Sequence, residues 1–499
     1  MRKNVKTIIS AIAFCVIFAS VFQYITNVYR PSSGYDRTHI IAFDEQQDLD
    51  VVYIGGSACF VFWQPLRAWN EWGIASYNYA TNGLEGANIE YMIRHSESAM
   101  HPDLYIVGVR PYQLWSESGN TGTLRYVTDS WSLLSPARYQ LINSFFKKHN
   151  STEKVDYPSY IFDIINYHDN GDVLKNPANW HYKEAHEKAP NKGWEWVEAY
   201  QYLQAPKGWN TTERTALING AEAALRELCE YCSSENLNVL FVVCPYYIEQ
   251  EHQKMYNTID DIVSEYGFDF LNTNEYYDEI GIDFNTDFYN RRHVNCFGAE
   301  KYTKFLGQYI TEHYNLRDHR GEKGYESWGE DYRRFCSEEE SYKQSIKKIM
   351  ENDLQGFELA EKLKKDKDIS SWYLNTKSNR YTLLIYNNGV SFENDADLEM
   401  VCSKWGITAN SYGCNIVSDE VIKEANVISE ELLMEGVIGK DSPANGVAYS
   451  ISNEHLMIDG MDYYENVEGL IIVAVDNNLQ MIADRIIVDT SSDNYVIKR

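Results

Sequence analysis

LDVVYIGGSACF, residues 49–60, sets a short apolar run, Val51 to Ile54, against an abrupt break at Gly55, Gly56 and Ser57. The pattern predicts a buried strand that stops at two glycines and presents a serine just past its carboxyl end. In open α/β sheets ligands gather at that edge, and glycine lets a substrate come close to the backbone. Two readings of Ser57 stand at this point, a nucleophile or the N-cap of the next helix. The choice depends on a second stretch, TDFYNRRHVNCFGAEKYT, residues 286–303.

Outward from residue 60 the rhythm is strand, helix, strand. IASYNYA (74–80) predicts a strand ending at the polar turn Thr81-Asn82-Gly83. EGANIEYMIRHSESAMH (85–101) has helical spacing, with Ile89, Met92, Ile93 and Ala99 on one face, and PDLYIVGVRP (102–111) predicts a third strand. Residues 115–212 lose this regularity and are rich in Tyr, Trp, Asn and His; they are expected to form an insertion that shapes or covers a site, its aromatic rings offering a sugar platform or ordinary packing. The rhythm resumes with a helix over 214–236, a strand in LNVLFVVCPYY (237–247), a helix over 248–267, a strand in FDFLNT (268–273) and a helix over 298–314. Such alternation predicts parallel βαβ units.

His293 falls in the loop before that last helix, where a general base for a serine nucleophile is expected. Asp287 and Asn290 lie upstream of it, close enough to reach its other ring nitrogen. The plainer alternative is a histidine that caps the helix or packs on Tyr289.

At the N-terminus, TIISAIAFCVIFASVFQYI (7–25) is apolar and uncharged over a length that crosses a bilayer as a helix. Arg2, Lys3 and Lys6 precede it, which keeps the N-terminus cytoplasmic and places the rest outside. A signal-anchor is expected in preference to a cleaved signal peptide, since no small-x-small cleavage site follows and Phe22, Tyr24 and Tyr29 resemble an interfacial belt. The formal net charge of −28 over 499 residues excludes nucleic acid as a partner. Thirty-nine Tyr and twelve Trp suit a carbohydrate-facing protein or a large ordinary core. The nine Cys are scattered: Cys229 and Cys232 form a CxxC without zinc-finger spacing and read as structural, and Cys402 and Cys414 could bridge a loop in an oxidising compartment. No metal or cofactor is expected.

The segments IGGSACF, SYNYA and DFYNRRHVNCFGAEKYT together resemble the SGNH/GDSL hydrolase superfamily. More narrowly they resemble its membrane-anchored, extracytoplasmic branch, related to the D-alanyl-lipoteichoic acid transfer protein and to polysaccharide O-acetylation proteins. The likeness spans about residues 45–315 and implies a flavodoxin-like parallel sheet flanked by helices. It implies Ser57 as nucleophile and His293 as base of a DxxH block. The aspartate of that block would stand where this chain has Asn290, so either Asp287 takes the role or the site works as a Ser-His dyad. Gly83 matches the oxyanion-hole glycine, beside Gly56 and the Ser57 N–H. The GxND block is absent, GVRPYQ standing in its place, and Asn82 and Arg110 are the candidate substitutes. The resemblance implies a serine esterase or O-acyltransferase acting on a cell-envelope glycan or teichoic acid, with a membrane acyl-exporting acyltransferase as a candidate partner. The alternative is a catalytically silent scaffold or glycan-binding subunit.

The expected organisation is a transmembrane segment over 1–30, the hydrolase-like domain over 31–318, a charged helical linker with solvated faces over 319–371, and a β-rich α+β module over 372–499. Within the last, RYTLLIYNNG, CSKWGI and GLIIVAVDNNLQMIADRIIVDT are similar to the interleukin-like EMT-inducer domain. No catalytic constellation is legible there, which favours binding or packing.

Overall fold

The apolar runs around Ser57 form one sheet. The computed structural model describes residues 2–30, 35–115, 119, 121–148, 157–162, 164–170, 189–203, 205–392, 395–418, 421–425, 434–439, 446–492 and 494–499. They divide into two compact units, one of residues 1–199 and 203–344, the other of 200–202 and 345–499.

In the first unit β1 (Val51–Gly55), β2 (Ser76–Ala80), β3 (Leu104–Gly108), β4 (Val239–Val243) and β5 (Asp269–Asn272) form a parallel sheet in the order β2-β1-β3-β4-β5. Every residue of β1 to β4 is buried, because helices cover both faces, and this explains their unbroken apolar runs. The chain runs outward from β1 to β2 and then returns past β1 to β3. Connections therefore diverge between β1 and β3, which opens a crevice at their carboxyl ends.

The helices Gly86–Ala99, Gln250–Glu265 and Cys296–His313 follow the expected spans closely. The helix expected from residue 214 begins at Asn219 instead. Tertiary bonds hold the preceding residues extended: Asn257 Nδ2 donates to the Thr211 and Glu213 carbonyls, and Arg214 pairs with Asp261. A three-residue strand, β6 (Phe288–Asn290), and a two-residue strand, β7 (His293–Val294), form a tight antiparallel hairpin ahead of the final helix.

The N-terminal helix, Arg2–Tyr29, contains a 22-residue stretch, Val5–Thr26, of mean hydropathy 2.3, long and apolar enough to cross a membrane. Its apolar side chains, Ile9, Phe14 and Ile17 among them, are exposed. Its end is tied down: Thr26 and Val28 are buried, and Arg30 Nη1 donates to the Trp131 carbonyl at 3.3 Å. Of the expected aromatic belt, Tyr24 is exposed while Phe22 packs edge-on against Phe162.

Two readings are narrowed by the structure. Within 115–212, whose residues 171–188 lie outside the described set, Trp131 and Trp194 are buried in the core. Trp131 stacks on His95 and donates to the Tyr79 hydroxyl, so of the two readings offered for the aromatic rings, ordinary packing holds for Trp131 and Trp194. The segment 319–371 is helical, as expected, and most of its charged side chains are exposed or half-buried, but it also contributes apolar side chains to the cores. One helix, Glu326–Leu363, buries Trp328 and Phe335 in the first unit and aligns Glu339 with Arg67 at 2.5 Å. Its far end buries Ala360 and Leu363 in the core of the second unit. Charge density hid two short apolar stripes at opposite ends of one helix.

The second unit is β-rich. A six-stranded antiparallel-paired sheet runs β10-β9-β8-β15-β16-β17, where β8 is Tyr381–Asn388, β9 Tyr412–Ser418, β10 Val421–Ala425, β15 Gly469–Asp476, β16 Met481–Asp489 and β17 Val496–Lys498. One face packs on the helices Ile369–Thr376 and Ala396–Lys404 through Trp372 and Trp405. The other meets a four-stranded sheet, β11 to β14, spanning Met434–Gly439, Gly446–Ser452, His455–Ile458 and Met461–Asp462. Cys402 belongs to the first core and Cys414 to the second, on opposite faces, so the sheet stands between the two residues that were considered for a bridge.

Candidate active site

A parallel sheet aligns all its carboxyl ends, and the residues that leave those ends line one cavity of about 220 Å³. Gly56 and Ser57 follow β1, Gly83 and Leu84 follow β2, Arg110 follows β3, and Cys244 follows β4. His293 enters from the β6–β7 hairpin.

Ser57 is the first residue of the helix Ser57–Phe62. It is therefore not the N-cap, a place held by Gly56, and a backbone N–H at this position has no acceptor within the helix. Gly55 is required by packing, since a Cβ there would collide with Cys59 Sγ. Gly83 adopts φ +60°, a left-handed conformation that glycine accepts without strain.

Ser57 Oγ lies 2.8 Å from His293 Nε2. On the other side of the ring, His293 Nδ1 lies 3.1 Å from Asn290 Oδ1. Asn290 and His293 are cross-strand partners in the hairpin, so the turn Arg291-Arg292 carries the contact. The Asn290 oxygen also accepts from the Arg292 backbone N–H at 2.8 Å, which fixes its amide with oxygen toward the ring. Nδ1 must then donate, leaving the Nε2 lone pair to receive the Ser57 proton. Tyr289 stacks on the imidazole at 5.5 Å. The helix that follows is capped by Asn295, whose Oδ1 accepts from the Phe297 N–H, and not by His293.

Burial, reinforced by the nearby Arg110 and Arg292 guanidiniums, holds the His293 pKa well below the ordinary 6.5. The imidazole is a neutral base at neutral pH. Cys59 and Cys244 also line the cavity, and burial pushes both thiols up, so neither offers a thiolate that competes with Ser57.

Asp287 is not part of this relay. Its buried carboxylate accepts from the Asp283 N–H at 2.8 Å, from Thr286 Oγ1 at 3.0 Å and from Lys301 Nζ at 2.7 Å. Those bonds turn it away from the imidazole to staple the loop before the hairpin. Asn82 stands beside Gly83 in the same turn but is not among the cavity-lining residues. Arg110 does line the cavity: its Nη1 donates to the Arg292 carbonyl at 2.9 Å, and its guanidinium covers the Tyr246 ring. Arg292, which sequence reading passed over, joins it there; the doubled arginine in YNRRH is the signal that was available.

No protein-family model matches the chain, and no curated protein matches it.

Proposed function

We propose that the chain is a membrane-anchored, extracytoplasmic serine esterase or O-acyltransferase of SGNH type that acts on a cell-envelope polysaccharide or teichoic acid. The observation that carries this reading is the 2.8 Å contact between Ser57 and His293 at the carboxyl edge of a parallel sheet. The Ser57 proton passes to His293 Nε2 as Oγ attacks the ester carbonyl carbon, and the carbonyl electron pair moves to oxygen. The N–H groups of Ser57 and Gly83 are assigned to that oxyanion. Collapse breaks the bond to the leaving alcohol, which takes the proton back from His293 and leaves an acyl-serine. A sugar hydroxyl or water then gives its proton to His293 and attacks the acyl carbon, and the bond to Ser57 Oγ breaks as His293 returns that proton to it.

The apolar helix near the N-terminus supplies the anchor, and the basic residues ahead of it place the remainder outside. The β-rich unit, similar in strand motifs to the interleukin-like EMT-inducer domain, is read as a binding or packing module. A silent scaffold is the competing reading, favoured by the amide in place of a carboxylate at Asn290.

The test is labelling of the full-length chain in detergent with a fluorophosphonate probe, followed by peptide mapping. Modification at Ser57 that disappears in Ser57→Ala supports the enzyme. A folded chain that takes up no probe at Ser57 supports the scaffold.

A further inference from the structure

The Ser57 cavity is electrically one-sided. Arg110 and Arg292 line it, while none of its described lining residues is Asp or Glu, in a chain of formal net charge −28. Arg292 is exposed and keeps its water. Arg110 does not, being only 8% exposed. Its described partners are the Arg292 carbonyl and the Tyr246 ring, and its Nε is buried without an acceptor. A guanidinium in that position carries a desolvation cost that a neutral carbonyl and a ring face offset only in part. An oxyanion that exists only during reaction does not relieve this cost in the resting complex. A ground-state anion does.

The walls narrow the choice of anion. Leu84, Pro111, Leu114 and Val242 make much of the lining apolar. A sugar ring would have to shed its hydroxyl hydration against those side chains, at a cost for each unpaired group. A short alkyl chain loses nothing there and can carry a charge to the arginine. We propose that the acyl group taken by this cavity ends in a carboxylate, which pairs with the Arg110 guanidinium while the ester carbonyl faces Ser57. The proposal rests on the reading of Ser57 as an acyl-accepting nucleophile. It assigns the site to the half-esters of dicarboxylic acids and excludes acyl groups that bear an ammonium, which two guanidiniums repel.

The experiment uses the full-length chain in detergent and three esters of similar shape: monomethyl succinate, methyl butyrate and methyl 4-aminobutyrate. Each competes with the fluorophosphonate for Ser57, and thermal unfolding is followed in parallel. Monomethyl succinate is expected to protect at concentrations about tenfold or more below methyl butyrate, the scale of one charge-assisted hydrogen bond, with the ammonium ester weakest. Arg110→Gln is expected to abolish that spread. Arg292→Gln, at an exposed position, is expected to reduce it and guards against a folding defect at Arg110. Equal protection by the neutral ester overturns the proposal. So does an Arg110→Gln chain that labels slowly yet retains the spread, which would make Arg110 an oxyanion donor. Protection by methyl glucuronoside equal to that by monomethyl succinate moves the charge to the sugar and also overturns it. If Ser57 takes up no probe, the nucleophile reading fails separately. The unfolding temperature still decides the charge: a rise with monomethyl succinate that Arg110→Gln removes supports an anion site, and no rise overturns it.

Discussion

Two hollows of similar size, one in each unit, differ in what surrounds them. The one at Ser57 measures about 220 Å³ and the one beneath Trp405 about 290 Å³. Both hold two cations, Arg110 and Arg292 in the first and Lys377 and Lys404 in the second. Only the first brings a hydroxyl against an imidazole. In the second, the hydroxyl of Ser378 accepts from the Arg380 N–H, and no histidine is among the lining residues. The difference follows from sheet topology. Parallel strands deliver successive loops to one edge, so residues from β1, β2, β3 and β4 converge. Antiparallel strands send alternate loops to opposite edges, and the hollow beneath Trp405 gathers side chains from one helix pair and one sheet face.

The largest effect that could break this contrast belongs to His293. His293→Ala is expected to slow probe uptake at Ser57 by about a hundredfold or more, the usual contribution of a general base. A rate equal to that of the unaltered chain would reduce the first hollow to the standing of the second.

Next comes the division of labour between Asp287 and Asn290. Asp287→Ala removes three hydrogen bonds from the loop, one of them to the partly exposed Lys301. It is expected to lower stability by about 2 kcal/mol in denaturant titration, with the pH midpoint of labelling unchanged. A shifted midpoint would return Asp287 to the relay.

Asn290→Asp sharpens the comparison in the opposite direction. Because burial and then Arg110 and Arg292 hold the His293 pKa well below 6.5, His293 stays unprotonated and the acid limb of labelling is expected below that pH. A carboxylate on Nδ1 favours the imidazolium, so the variant is expected to move the limb upward. It should also raise the rate at neutral pH about tenfold, since the charge formed in the transition state gains a counter-ion. An unmoved limb would show that Asn290 does not govern the ring. The smallest effect is expected in the other unit: Lys404→Ala should leave labelling at Ser57 unchanged, and a large loss would tie the two hollows together.

Much of the first unit was legible because its signals are local. Val51–Ile54, the run over 239–243 and the alternating helices announce themselves by apolar continuity and by spacing. Ser57 and His293 were legible as well, one by its place after a strand and two glycines, the other by its place before the last helix. Asp287 misled because separation along the chain does not say which way a carboxylate turns, and Lys301, fourteen residues on, competes for it. The helix Glu326–Leu363 was legible as a helix, but its contribution to the cores was not, because its charged residues outnumber the few apolar ones, Trp328, Phe335 and Leu363, that are buried there.

Local composition, by itself, determined which segments become strands and helices, that one segment suits a bilayer, and which serine and histidine were worth pairing. Those properties depend on neighbours along the chain, through periodicity, glycine breaks and uninterrupted apolar length. Strand order, the acceptor on the imidazole, and the cation left without a carboxylate among the described residues were decided only by the tertiary structure. Each depends on groups far apart in sequence competing for the same partner, and that competition is settled by packing.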